Sequence, residues 1–442
     1  MLSAMGFLLV IVMVALIIRG KVALPPILIL LPTAVVFVLG FAGGQGPVEI
    51  LKTLKGYMDT GFKSVLNTCA LFTFAVVYFN ILSDAGMFDA IIAKVMKYIG
   101  NNIGVILLMT CFLTAISHLD GSGATTMLIT IPTMLPLFKK MKVNPAILVL
   151  YVGMVSGVVN MLPWTSALAR VSAATGVEAR DIWAALLPTQ IVGLIICFAS
   201  CFVVGSFMKK KGYGMSDEEF AQLKQDMLKP ADPVLKVSKG VLAADMIITL
   251  IMVIAMLMGW INTNLCFMIG LSLALLLNCK GTREMTAQIK KHGATALNMV
   301  MIIFSIGLLV GVMKDSGMMS AMTETLMGLV PESLSTHLMF IISLIAVPLS
   351  MVVGSDTLYM VMSPIFADLS IAFGGTALNA AAACVIGACI AANLCLVAPT
   401  PYLALGLAGV EMKDNLKTCF IPIWALGIAL AIVGAITGAY AF

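Results

Sequence analysis

The sequence runs to 442 residues, of which 61% are hydrophobic and 11% charged, with a formal net charge of +5. A soluble domain carries roughly 25% charged residues, so this composition excludes an ordinary soluble enzyme and points to an all-α polytopic membrane protein. The positive balance comes from loop lysines and arginines and reflects topology, not nucleic-acid binding; the cysteines stand singly in apolar runs, with no CxxC and no Cys/His cluster, and read as packing residues.

In chain order, apolar segments at 1–18, 24–41, 66–82, 145–161, 183–207, 241–260, 263–278, 295–313, 377–397 and 418–440 approach or reach the roughly 17 to 25 residues that cross a bilayer as helix. They give ten predicted spans. The first has its charges, Arg19 and Lys21, after the apolar run, so it reads as an uncleaved helix with its N-terminus outside. Amphipathic stretches 45–65 and 279–294, each leading into the third span of its half, are expected to lie flat at opposite surfaces.

Between the third and fourth spans, the runs 101–117 and 124–138 are short for a crossing and are separated by SHLDGSGATT (117–126). Gly121 and Gly123 permit a turn there, which predicts a re-entrant hairpin over 101–138 that enters from the cytoplasm, with its tip at mid-membrane. Non-helical backbone at that depth is tolerated only against protein or a wet cavity. A second hairpin, 336–372, is predicted around GSDT (354–357). Behind each lies a span interrupted by proline, at NMLPWTSA (160–167) and LVAPTPYL (396–403), giving broken helices over 145–175 and 377–410. Half-helix N-termini attract anions, and unwound carbonyls and C-terminal ends coordinate cations, so these four broken elements are expected to converge on one cavity.

The polar stretch 209–240 divides the chain into a first repeat, 1–208, and a second, 241–442, joined by a cytoplasmic linker. SDAGM (83–87) recurs as KDSGM (314–318), Asp120 as Asp356, Pro163 as Pro399 and GVEARD (176–181) as GVEMKD (409–414), in one order and at nearly constant separation. Placing 19–23, 94–97, 139–142, 209–240, 280–291 and 413–417 in the cytoplasm gathers most of the basic residues on one side. The halves are then two inverted-topology repeats of five transmembrane spans plus one hairpin each, with both termini outside. Such repeats around a midplane site are the architecture of secondary transporters.

Asp120 and Asp356 are the acidic residues expected at the tips, where a carboxylate must be paired, protonated or bound to a cation; they are the candidates for a coupling ion. Candidate substrate ligands on the first hairpin are Ser117, Ser122, Gly123 and Thr125, with Ser355 on the second. The broken helices offer Asn160, Trp164, Thr165, Ser166, Asn393 and Thr400. Arg170 could grip a carboxylate bidentately, yet counted from Pro163 it falls about 10 Å up the helix, near the outer surface, where it would equally snorkel to headgroups. His118 is a candidate proton relay. Nothing reads as a catalytic residue or a resident cofactor site.

At LDGSGATTMLITIPTMLPLFKKMKVNP (119–145), NMLPWTSALARVSA (160–173), GSDTLYMVMSPIFAD (354–368) and PTPYLALGLAGVEMKD (399–414) the chain resembles the citrate:divalent-metal:proton symporters (CitMHS) of the ion transporter superfamily. The resemblance implies a membrane symporter for citrate or a related di- or tricarboxylate, with magnesium or calcium carried in the substrate complex. It further implies scaffold and transport domains, an elevator-like displacement and a homodimer. Two other functions would also want membrane aspartates. An intramembrane aspartyl protease needs no duplicated broken helices. A sodium/proton antiporter is served less well than an organic-anion carrier by paired half-helix N-termini.

Overall fold

A computed structural model of the chain describes residues 2–19, 21–87, 90, 100–221, 234–258, 260–328, 332–396 and 398–440. The expectations for 94–97 and for the linker segment 222–233 lie outside the described residues. Among the described residues all regular structure is helical, in keeping with a polytopic membrane protein.

The first half holds α1 (Leu2–Arg19), α2 (Leu24–Ala42), α3 (Pro47–Asp84), α4 (Ile103–Ser117), α5 (Gly123–Lys140), α6 (Pro145–Val159), α7 (Ser166–Thr175) and α8 (Ala179–Lys210). The second holds α9 (Lys239–Leu257), α10 (Thr263–Asn278), α11 (Thr282–Asp315), α12 (Met318–Met327), α13 (Leu338–Val353), α14 (Ser363–Ala372), α15 (Ala377–Ala391), α16 (Pro399–Ala408) and α17 (Met412–Ile436). A helix occupies each of the ten apolar segments. Among the described residues eight helical stretches are long and apolar enough to cross a membrane; one of them is 103–120, the first limb of the hairpin, while α6 and α10 are shorter.

Local chemistry sets the boundaries. Asn102, Asn144 and Asn262 each accept a backbone N–H two residues on and so start α4, α6 and α10. Thr376 closes a capping box with Asn379 at the start of α15. The two GVE motifs turn out to be junctions: α7 stops before Gly176 and α8 begins at Ala179, as α16 stops before Gly409 and α17 begins at Met412.

The amphipathic stretches differ from expectation. Residues 45–65 are not a separate surface element, because α3 continues without a break from Pro47 to Asp84, 38 residues or about 57 Å. α11 likewise joins 282–294 to the following span in one helix of 34 residues. No proline interrupts either run. α3 and α11 form the most extensive helix pair in the molecule, and glycines make it. A Cβ placed on Gly61 would stand 1.9 Å from the carbonyl oxygen of Gly307, and one on Gly311 would stand 2.0 Å from that of Tyr57. Lipid is as apolar as leucine, so close backbone approach of this kind supplies much of helix association in a bilayer.

The far end of α3 is tied to both halves. The Asp84 carboxylate pairs with Lys291 and, at 2.9 Å, with Nε2 of His292 on α11, and its backbone carbonyl accepts the N–H of Leu235 from the end of the linker at 2.8 Å.

Candidate binding site

Each tip is a helix that stops and restarts within a few residues. In the first, α4 gives way to a single tight turn over His118–Asp120, Gly121 adopts φ 74°, and Ser122 caps α5. Only glycine takes that left-handed conformation cheaply. The Asp120 carboxylate accepts the Ser122 N–H at 2.8 Å, folding back over its own turn, and the Thr125 hydroxyl donates to Ser122 Oγ at 3.0 Å. The tip is anchored from behind: Trp164, stacked on Phe79 of α3, donates its indole N–H to the Leu119 carbonyl at 2.8 Å.

In the second tip, α13 ends before Gly354, Ser355–Thr357 form one turn, and Leu358–Met362 widen into a π turn before α14 begins at Ser363. π turns concentrate at functional positions because they push side chains out of register. Ser355 meets Ser350 at 2.7 Å and donates to the Ala388 carbonyl at 3.1 Å, docking this tip on α15.

The helix breaks behind the tips come where the prolines predicted them, with one consequence the sequence count missed. α6 ends at Val159, residues 160–165 are irregular, and the Thr165 hydroxyl donates to the carbonyls of Asn160 and Leu162. α7 therefore restarts at Ser166. Arg170 is only one turn into it, about 6 Å along the axis, and not seven helical residues beyond Pro163 near the outer surface. Its guanidinium lines the cavity and pairs with Asp356 of the second tip, while its Nε has no partner. In the second half, α15 runs into a tight turn over Ala392–Leu394 and α16 restarts at Pro399.

A cavity of about 250 Å³ lies where these breaks meet. Its polar lining comes from His118, Ser156, Asn160, Ser166, Arg170, Ser355, Asp356, Asn393 and Thr400, with Gly121, Gly123 and Tyr359 among the remainder. Asp120 is not in it. Because that carboxylate is turned onto the Ser122 amide, it opens on a neighbouring cavity of about 280 Å³ with Ser122, Thr125, Asn80 and Thr295. The expectation that both acidic tips share one cavity is thus corrected to two adjoining cavities, which have Gly121, Gly123 and Ser166 in common.

Three candidate ligands stand outside both. Trp164 and Thr165 are buried in bonds that hold the tip and the break together, and Ser117 is buried in α4 with its hydroxyl unpartnered. Conversely, Tyr359, Asn80 and Thr295 line the cavities without having been singled out. Isolated polar groups in apolar helices were the available signal for the last two. A third polar cavity, about 130 Å³, lies at the far end of α7 between α3, α8 and α10 and shares no lining residue with the other two. Among the described residues no group of three acidic, histidine or cysteine side chains could hold a metal ion.

Eight long apolar helices around paired helix breaks and a charged internal cavity define a polytopic membrane transporter. The chain belongs to the citrate transporter family: the profile of that family, CitMHS, matches residues 7–388. It is a family of transporters, not of enzymes. The chain is 29% identical to a citrate transporter of Bacillus subtilis (strain 168), with the full length of both aligned. It is 26% identical to a Mg(2+)/citrate complex secondary transporter of the same organism, over 99% of this chain and 98% of that one. Among solved structures, the YdaH transporter of Alcanivorax borkumensis superposes with a TM-score of 0.56 over 88% of this chain and 89% of that chain. At 11% identity that likeness speaks to the fold alone.

Proposed function

We propose that the protein is a secondary active transporter for citrate or a related di- or tricarboxylate, coupled to protons, to a substrate-bound metal or to both. One observation carries this: Arg170 sits in the cavity with one edge of its guanidinium on Asp356 and with Nε unpartnered. A buried guanidinium edge without an acceptor is matched by a carboxylate. Charge balance selects the form carried. Arg170 and Asp356 cancel, so a bare tricarboxylate would bring three uncompensated charges into the membrane interior. A divalent metal removes two, and a proton on Asp356 removes the last. The relative named for a magnesium–citrate complex supports that form. Asp120, with Ser122, Thr125, Asn80 and Thr295 in the adjoining cavity, is the second candidate for the coupling cation.

In this reading the repeats 1–208 and 241–442 are inverted with respect to each other, and both termini are outside a cell membrane. The hairpins 101–138 and 336–372 and the broken helices 145–175 and 377–410 move as a transport domain against a scaffold that includes α3 and α11. The scaffold is the expected dimer surface. Uptake of radiolabelled citrate into proteoliposomes tests the proposal, with and without an inward proton gradient and with magnesium, calcium or sodium in turn. Accumulation that needs the gradient and falls when a chelator removes the divalent metal is the expected result. Cation flux with no carboxylate uptake under any condition would sink it.

A further inference from the structure

His118 lines the substrate cavity, is 3% exposed and makes no ion pair among the described residues. Its Nδ1 lies 2.7 Å from Thr126 Oγ. A threonine hydroxyl has one hydrogen, and here it goes to the Ser122 carbonyl at 2.8 Å, a group that can only accept. With the hydrogen placed there, Thr126 Oγ faces the ring with a lone pair and Nδ1 carries the ring hydrogen. In the neutral imidazole that leaves Nε2 as a bare acceptor. Nε2 is buried and meets no partner at full hydrogen-bond geometry; the Asn160 carboxamide is within reach of the ring, and a substrate donor at Nε2 would compete with it.

A buried acceptor left empty costs free energy unless a ligand supplies a donor. Carboxylate oxygens only accept and would be repelled by this lone pair, so a carboxylate fits at Arg170 and not at His118. Resting on the carboxylate-transport reading above, we propose that His118 is a specificity residue that accepts the hydrogen of a substrate alcohol, selecting hydroxylated polycarboxylates over analogues lacking the hydroxyl. A hydroxyl whose oxygen also ligates a divalent metal is a stronger donor and fits better still.

The test uses the full-length protein in proteoliposomes at fixed magnesium, with labelled citrate uptake competed by unlabelled citrate or by tricarballylate, the same tricarboxylate without the hydroxyl. The wild type is expected to prefer citrate by about tenfold or more. His118→Phe should bring the ratio close to one. His118→Gln, whose side-chain oxygen can take the place of Nε2, should recover part of it. Thr126→Val, which releases the tautomer from outside the cavity lining, should lower the ratio as well. Thermal unfolding with each ligand gives the same comparison for any variant too inactive for uptake. Equal use of both compounds by the wild type overturns the inference and leaves carboxylate transport standing. So does an equal loss for both ligands in His118→Phe, or a changed metal preference at an unchanged ratio, which would make Nε2 a metal ligand. A folded wild type that carries neither compound nor any other carboxylate overturns the transport reading and this inference together.

Discussion

Arg170 concentrates the chemistry of the site in one side chain. Its Nη1 is held by Asp356 and its Nε has no partner, so the two charges lining the cavity balance while one edge of the guanidinium lacks an acceptor. Arg170→Ala is expected to lower citrate uptake by tenfold or more, because a charge-assisted pair is lost and Asp356 is left uncompensated. Arg170→Lys should rescue little, since an ammonium cannot keep both contacts. Asp356→Asn should leave substrate binding measurable but remove the dependence of uptake on the proton gradient, read by comparing initial rates with and without it. None of this placement was legible from spacing. Counting from Pro163 puts Arg170 two turns up a helix, whereas the chain spends 160–165 in an irregular loop and restarts at Ser166. The direction of the Asp120 side chain was equally hidden, because one hydrogen bond to the Ser122 amide decides which cavity it enters.

At the level of helices, the tips were the most readable parts, since glycine and a lone acid between two short apolar runs leave few alternatives. The long helices were the least readable. An amphipathic stretch followed by an apolar one suggests two elements, and only the absence of a breaker between Phe62 and Val65 hints at one. The α3/α11 crossing yields a sharp contrast. Gly61→Ala puts a methyl into the Gly307 backbone, with no flexible side chain to give way, and is expected to cost about 3 kcal/mol, the upper end of ordinary overpacking, or to abolish folding. Gly56→Ala, five residues earlier on the same helix with nothing within 4 Å, should be neutral or stabilising by up to about 1 kcal/mol. Thermal unfolding in detergent distinguishes the two. At the first tip, Trp164→Phe keeps most of the stacking on Phe79 but leaves the Leu119 carbonyl without its donor. The expected cost is about 1 to 3 kcal/mol, seen as a lower melting temperature with reduced uptake of every substrate alike.

For the molecule as a whole, long helix, tip, broken helix and long helix follow one another on either side of the polar linker. The class of architecture, an all-helical polytopic membrane protein, was legible in the composition. Orientation remains a matter for chemistry in the membrane. All ten cysteines are free and buried, so impermeant thiol reagents should find little background. On the proposed topology Glu49→Cys reacts from outside intact cells, and Lys413→Cys reacts only after permeabilisation; both positions are exposed. Labelling in the reverse order, or of both from one side, would remove the inverted arrangement.

Gly121, Gly123 and Ser166 line both the Arg170 cavity and the Asp120 cavity, so what the two share carries little side-chain bulk. A partition that thin cannot be stiffened on one face alone. On the proposed assignment of an anion to the Arg170 side and a cation to the Asp120 side, whichever orders it first would spare the other part of the entropy of doing so, and thermodynamic reciprocity makes the benefit equal in both directions. Cooperative loading of the two chambers would then need no wire between them, only a shared wall that either guest can quiet.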